Sequence, residues 1–351
     1  MSHAPGFVAE PLEGRQLFSV ILVDDDKKQF TNAAYTSLAA AVKAAKAKDT
    51  IRLAPGTYRQ AITIPAGKDG LTIIADKTRQ STIDPPDGAL AAFNVDAKNV
   101  TIKKLVINGL KNSYGVLIDS GGSATVSECR IKSVRNNPFD GVQTGFGVAV
   151  LKGSAMVALN TIDDYQKGGV YVDGGYSKAT IMNNTIIGRG ETAVIAQNGI
   201  VFNRNATGSV AGNFVSRNDY TGSDATACGI SLYKAKDVLI STNVIFNNEQ
   251  NIRVDYSDGT RVLDNEAYGA YFDGLAIFRS HLVLADGNDF HDNGFSGIYV
   301  ESVGNEFSNN VLEDNEEFDA NDTTTGGSGT GGTGNLWQGN TIGTMSPSGL
   351  K

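Results

Sequence analysis

The sequence predicts an all-β solenoid, a parallel β-helix, and three observations carry that prediction. The stretch 229–301 divides into rows that open on a small residue, Gly229, Asn251, Gly274 and Gly297, spaced 22, 23 and 23 residues apart. A fixed repeat of that length marks a solenoid. Apolar residues alternate after each opener: Ile230 and Leu232, Ile252 and Val254, Leu275 and Ile277, Ile298 and Val300. Period two is strand periodicity. Finally, an asparagine recurs fourteen residues after the opener, at Asn243, Asn265 and Asn288. Each row therefore reads as one coil.

The 351 residues allow one or two domains by length. The repeat favours one elongated body, because a solenoid core grows with coil count. A net charge of −8 argues against nucleic acid or an anionic membrane as the main partner. A polyanionic substrate stays open, since local cations or bound Ca²⁺ offset bulk charge. Cys129 and Cys228 fall at different corners, roughly 19 Å apart at ~4.8 Å per coil, too far to bridge, so two free thiols are expected. No apolar run reaches the ~20 residues of a membrane span. A monomer is expected.

Residues 1–19 read as a tail. Within it, and running on to residue 20, EPLEGRQLFSV (10–20) resembles a short segment found near the start of many exported bacterial surface proteins. That resemblance implies a secreted or cell-surface location. Val20 to Val23 is a first short strand, and Asp24, Asp25 and Asp26 form an acidic turn, read as solvated. Residues 36–48 form the one clear helix, with Leu38, Ala41, Val42 and Ala45 on one face and Thr36 as N-cap. One apolar stripe at the start of a solenoid suits a lid over the first coil.

Strands follow at 50–53, 61–64 and 71–75, separated by Pro-Gly and Gly-Lys-Asp-Gly turns. The helix, then Asp49-Thr50-Ile51 leading to Pro55-Gly56-Thr57-Tyr58, then Ile62-Thr63-Ile64, is similar to the opening coil of the pectate-lyase-like right-handed parallel β-helix superfamily. The resemblance covers residues ~33–343. It implies a single-stranded right-handed β-helix of about eleven coils spanning 20–343, with saccharides lying along the first-strand face. It does not choose an activity, because lyases, hydrolases, epimerases, esterases and non-catalytic surface proteins share the fold.

The regular coils open at Gly115, Gly147, Gly169, Gly199, Gly229, Asn251, Gly274 and Gly297. The distance from opener to turn residue (Cys129, Asn160, Asn184, Asn213, Asn243, Asn265, Asn288, Asn310) stays at 13 to 15 residues. Extra length therefore enters at one corner, before the first strand. The asparagines are read as structural, stacked in the turn between second and third strands, each bond giving on the order of 1 kcal/mol. Residues 319–334, rich in Gly, Ser and Thr, read as a flexible loop, and 344–351 as a C-terminal tail.

The insertions 133–146, 188–198 and 216–228 should wall one side of a groove along the first-strand face. Alternation turns the third and fifth positions of each coil outward. Those columns and the residues just beyond the fifth position place Tyr171, Asp173, Asn203, Arg204, Tyr233, Lys234, Arg253, Asp255, Tyr256 and Tyr299 in the groove. Arg204, Lys234, Arg253 and Asp255 are the catalytic candidates, because a lyase needs a base beside the uronate carboxylate and cations for the developing charge. Tyr171, Asn203, Tyr233, Tyr256 and Tyr299 are the substrate-binding candidates, aromatic faces being suited to sugar rings. Asp173 and Asn203, vertical neighbours, are the pair expected to share a cation, with Ca²⁺ as the cofactor.

Catalytic signatures of relatives are mostly missing. Asn160-Thr161 leads into Ile162, Asp163-Asp164 lies in a short turn, Arg130-Ile131-Lys132 precedes both, and no Gly-His-Gly occurs. His281 is expected on a second strand and His291 at a loop corner, away from the groove. Two readings result. One is an exported or surface protein that binds an acidic polysaccharide along its strand face and cleaves or epimerises it. The other is a non-catalytic surface or adhesive rod.

Overall fold

The structure, a computed structural model, describes residues 18–351. Most of the N-terminal tail, and with it most of the export-like segment, lies outside the described residues. Three sheets run the length of the molecule, with 12, 13 and 12 strands, built by parallel pairing of one coil on the next. Sheet one holds the first strands, from Ile62–Ile64 to Met345–Ser346. Sheet two runs from Val20–Val23 to Leu336–Gln338, and sheet three from Gly56–Tyr58 to Thr341–Ile342. The count exceeds the eleven coils read from sequence because short strands such as Gly56–Tyr58 and Met345–Ser346 hide in turn-like sequence.

Alternation positions the core as expected. Ile230, Leu232, Ile252, Val254, Leu275, Ile277, Ile298 and Val300 are fully buried and belong to one continuous core. Each contributes roughly 1.5–3 kcal/mol on burial. The opener is small for a steric reason. A Cβ on Gly169 would stand 2.5 Å from Ile186 Cγ2 and 2.6 Å from the Gly199 carbonyl. Asn251 breaks the glycine rule by pointing its amide into a polar stack, where it accepts from Asn248 and donates to Asn293.

The second corner is a left-handed residue followed by asparagine, with Asn183, Thr242, Asp264 and Asn309 at φ of 52–54°. Each asparagine amide donates to the next along the axis, Asn160 to Asn184, Asn213, Asn243, Asn265, Asn288, Asn310 and Asn340, at 2.9–3.0 Å. All but Asn340 are buried, so these bonds satisfy groups that water does not reach. A second polar stack at the third corner was not visible from the openers. It runs Tyr165, Asn218, Asn248, Asn251, Asn293, Asn315 and Asp319.

The helix is shorter than its sequence suggested, Leu38–Ala44, and is capped by Ser37 rather than Thr36. The Ser37 hydroxyl accepts the Ala40 amide at 3.2 Å. Beyond Ala44 the chain turns because the Asp49 carboxylate takes the Lys46 and Ser19 amides and Lys48 adopts a left-handed φ of 66°. Leu38, Ala41 and Val42 join the main core at its N-terminal end. Asp24 is not solvated either. It is buried and accepts the Gln29 and Phe30 amides at 2.8 and 2.6 Å.

The C-terminal segments also differ from their reading. Phe318–Asp322 is a strand of sheet one, paired with Ser296–Val300 and with Met345–Ser346. The Gly-rich stretch after it is closed by a Thr325–Thr333 bridge, and Asp322 accepts from Asn335 Nδ2 and Trp337 Nε1. Leu350 is fully buried, so 344–351 is part of the cap and not a tail. Small residues here make a tight, hydrogen-bonded corner. Cys129 and Cys228 are free and buried, and burial pushes both thiols up to about 12.

Candidate functional site

The outer surface of sheet one is organised in vertical columns. Register places Leu117, Ala149, Tyr171, Val201, Ser231, Arg253, Ala276 and Tyr299 in one column. Asp173, Asn203, Tyr233, Asp255 and Phe278 form the next. Immediately beyond, at the first corner, stand Arg204, Lys234, Tyr256 and Arg279, each with φ between 45° and 53°. This shared left-handed turn holds four consecutive coils' side chains in a row, one coil apart at ~4.8 Å.

The N-terminal part of the face is not an open groove. Ala91, Leu117, Phe146 and Ala149 are buried as a second apolar cluster outside the barrel, with Tyr114, Leu151 and Tyr171 packed against it. Tyr171 stacks on Phe146 at 4.6 Å, and burial raises its hydroxyl above the ordinary tyrosine range. Its ring is thus used within the protein, which weakens its reading as a sugar platform. Asn203 donates to the Tyr171 hydroxyl at 3.3 Å, leaving its own Oδ1 buried without a partner.

Charges on the face are largely paired. Asp173 receives Arg204 Nε at 2.7 Å on one oxygen and Arg204 Nη2 on the other. Both carboxylate oxygens are therefore engaged by a guanidinium. The Asp173–Asn203 pair does not fit a Ca²⁺ ion as it stands, since the cation position is taken by Arg204. Among the described residues, the group of three acidic side chains close enough to share an ion is Asp24, Asp25 and Asp26, far from this face.

Asp255 is tied as firmly. It accepts from Arg279 at 3.0 and 2.9 Å and from Arg253 at 3.4 Å. That pairing removes it as a free base. Arg253 also lies 4.2 Å from the Phe278 ring centroid, and Arg279 lies 4.6 Å from that of Tyr256. Lys234 has no carboxylate partner among the described residues. Its ammonium sits 5.1 and 5.6 Å from the Tyr233 and Tyr256 rings, which meet edge to face at 6.0 Å. Tyr233 and Tyr256 are exposed, at 41% and 45%, and remain available to a ligand. Tyr299 tilts over Phe278 at 5.7 Å.

The open side of the face is the first corner. A hollow of about 860 Å³ is lined by Arg204, Asn205, Lys234, Tyr256 and the exposed Leu282, among others. A neighbouring one of about 520 Å³ is lined by Tyr256, Arg279, His281 and Glu301. His281 therefore belongs to the first corner beside the site, not to a second strand. His291 ends the third strand Asp289–His291 and stacks on Tyr268 at 5.1 Å.

The insertions do share the third corner, but two of them begin as sheet. Thr185–Thr192 and Phe214–Tyr220 stay paired past the usual strand end, with a bulge between Ile187 and Gly190. The 133–146 insertion is tied down by Arg135 to Asp164 at 2.8 Å and by the Gln166 side chain to Asn136 and Asp140. Near this corner lie two carboxyls that sequence reasoning missed. Burial pushes Glu249 and Asp273 up to about 7. Both precede an opener by one or two residues, where the alternation gives no burial signal.

The family described as a right-handed beta helix region matches residues 90–251, 146–310 and 250–350. The chain belongs to this family. No curated protein matches it in sequence. Among solved structures it is similar to the Dettilon tailspike protein, at 16% identity and TM-score 0.64, covering 92% of this chain and 68% of that one. It is also similar to the catalytic unit of an α-1,3-glucanase from Streptomyces thermodiastaticus, at 16% identity and TM-score 0.58, covering 96% and 70%. A pectate lyase aligns at 17% identity and TM-score 0.53, covering 95% and 79%. At these identities the likeness is one of fold, that of the right-handed β-helix.

Proposed function

We propose that this β-helix binds an acidic polysaccharide lying along the helix axis, over the C-terminal part of sheet one and its first corner. The observation that carries this reading is the row Arg204, Lys234, Tyr256 and Arg279, held at one-coil spacing above open hollows. A row of cations with interleaved aromatic faces suits a chain whose carboxylates and rings repeat along one direction. Arg204 and Arg279 are paired with Asp173 and Asp255, and Asp237, Asp258 and Glu301 line the same hollows, so the strip is of mixed charge and Lys234 is the cation of the row left for a ligand carboxylate. Solved structures of similar fold include a pectate lyase and an α-1,3-glucanase, which supports a glycan as the ligand. The export-like segment 10–20 supports a location outside the cell, and we take the working unit to be a monomer.

The internal ion pairs Asp173–Arg204 and Asp255–Arg279 favour a second reading, a non-catalytic rod that only holds the glycan. Binding is tested by calorimetry with polygalacturonate, alginate and neutral dextran at two salt concentrations. The proposal expects the two polyanions to bind, more weakly at high salt, and dextran not to. Equal binding of dextran, or none of the polyanions, refutes it. Turnover of a bound polymer separates the enzyme from the rod.

A further inference from the structure

The cations of the open half are not all held in the same way. Arg204 is paired with Asp173, and Arg253 and Arg279 are paired with Asp255. Lys234 has no carboxylate partner among the described residues, although Asp237 and Asp258 line the same hollow. Aromatic rings hold it instead. Its ammonium lies over the Tyr233 ring, 5.1 Å from the centroid, and 5.6 Å from the centroid of Tyr256. The two rings meet edge to face, which lets one ammonium reach both. Tyr256 has a further cation in Arg279, at 4.6 Å, and two hydrogen bonds to Asp255 keep that guanidinium in place. Tyr233 is different. Its exposed ring is covered by a charge that no carboxylate among the described residues anchors.

We infer that Lys234 sets the preference of this site for acidic over neutral glycans, by competing with the ligand for the face of Tyr233. The inference rests on the acidic-glycan reading above. A neutral sugar ring that stacks on Tyr233 must displace the ammonium and offers it no new partner. A uronate ring displaces it as well, but its carboxylate gives the ammonium a charge-assisted hydrogen bond. The same movement is thus a loss for a neutral ligand and is offset for an acidic one. Two cation–ring contacts at an exposed site together amount to about tenfold in binding. Lysine suits this part, because its ammonium is a point charge on a flexible four-carbon stem. Arg204 and Arg279 do not, since each guanidinium is forked onto a carboxylate. Because Arg279 stays on Tyr256, the ring that Lys234 uncovers is Tyr233.

The test is calorimetry on the full chain with polygalacturonate and alginate, each beside its carboxyl-reduced form, which keeps the sugar ring and loses the charge. Wild type should bind a polyanion and bind the reduced polymer at least about tenfold more weakly. Lys234→Ala should lose about tenfold on the polyanion and gain about tenfold on the reduced polymer. Alanine keeps the Cβ at the left-handed φ of 53°, so the backbone requirement does not change. Lys234→Arg, which restores a cation over the ring, should restore the preference for the polyanion. Adding Tyr233→Leu to Lys234→Ala should remove the gain on the reduced polymer, because that gain is an uncovered ring face. Unchanged affinity of Lys234→Ala for the reduced polymer, or a gain that survives the loss of Tyr233, overturns the inference. Polyanion binding by wild type would leave the acidic-glycan reading standing in that case. Wild type that binds neither polyanion takes down both.

Discussion

The N-terminal and C-terminal halves of sheet one share a backbone, a register and an alternation, yet their outward faces differ: one is sealed by its own aromatics and the other adjoins open hollows. In the coils of Tyr114, Phe146 and Tyr171 the outward aromatics stack on one another and seal Leu117 and Ala149 beneath them. In the coils of Lys234, Tyr256 and Arg279 the corner side chains line open hollows, together with Asp237, Asp258 and Glu301. The scaffold decides where a side chain points. Its vertical neighbours decide whether it is exposed. Apolar neighbours one coil apart close over each other, whereas like charges one coil apart stay solvated or recruit a carboxylate.

The largest effect is expected in the scaffold that both halves share. Asn243 accepts from Asn213 and donates to Val210 O and Asn265. Asn243→Ala leaves several buried groups unpaired, each worth about 1–3 kcal/mol, so chemical denaturation should show a loss of about 4 kcal/mol. A loss under 1 kcal/mol would mean that the stack does not hold the coils.

Next in size is Phe146→Ala, which empties the sealed half. We expect about 3 kcal/mol of destabilisation by the same measurement, with polyanion affinity unchanged. A large drop in affinity would place the ligand on the wrong half.

Glu249, at the third corner of the open half, gives a pH signature. It accepts the Ala227 amide at 2.6 Å, and burial moves it from 4.5 to about 7. A raised folded-state value means that the folded protein holds this proton where the unfolded chain has released it. Stability from this group is therefore complete below about 4.5, falls as pH rises, and is fully lost above about 7. Glu249→Gln keeps the acceptor and removes the titration. Relative to wild type it should gain stability between pH 5 and pH 8, by as much as roughly 3 kcal/mol. A constant difference across that range would contradict the burial of an ionisable group here.

The smallest expected effect is Lys234→Ala, which removes the cation with no carboxylate partner. A roughly tenfold loss of polygalacturonate or alginate affinity, about 1.4 kcal/mol, with an unchanged melting temperature, is the outcome consistent with a ligand on the open half. Unchanged affinity would show that the row is only a solvated edge.

Much of this difference was legible only in part from the sequence. Period-two alternation located Val254 and Ile277 inside and Arg253 and Asp255 outside, because a strand offers a side chain no third direction. Glycine openers marked the corner because a Cβ there meets the next coil. Coverage of outward positions was not legible, since Leu117 and Ala149 are sealed by aromatics one coil away. Ion pairing was half legible: Asp173 and Arg204 occupy adjacent columns on neighbouring coils, but which carboxylate takes which guanidinium depends on the left-handed corner that aims Arg204. Asp273 and Glu249 escaped notice because their burial comes from other coils at an irregular corner. The C-terminal cap was misread for a related reason. A Gly- and Thr-rich composition signals freedom only where nothing closes it, and Asp322, Thr325 and Thr333 close it here.

The most direct measurement is amide hydrogen exchange with and without a saturating acidic oligosaccharide from alginate or polygalacturonate. The account predicts slowed exchange at 203–206, 233–237, 253–259 and 278–282, and none at 114–118 or 146–151. Protection confined to the sealed half, or spread evenly along the rod, would contradict it.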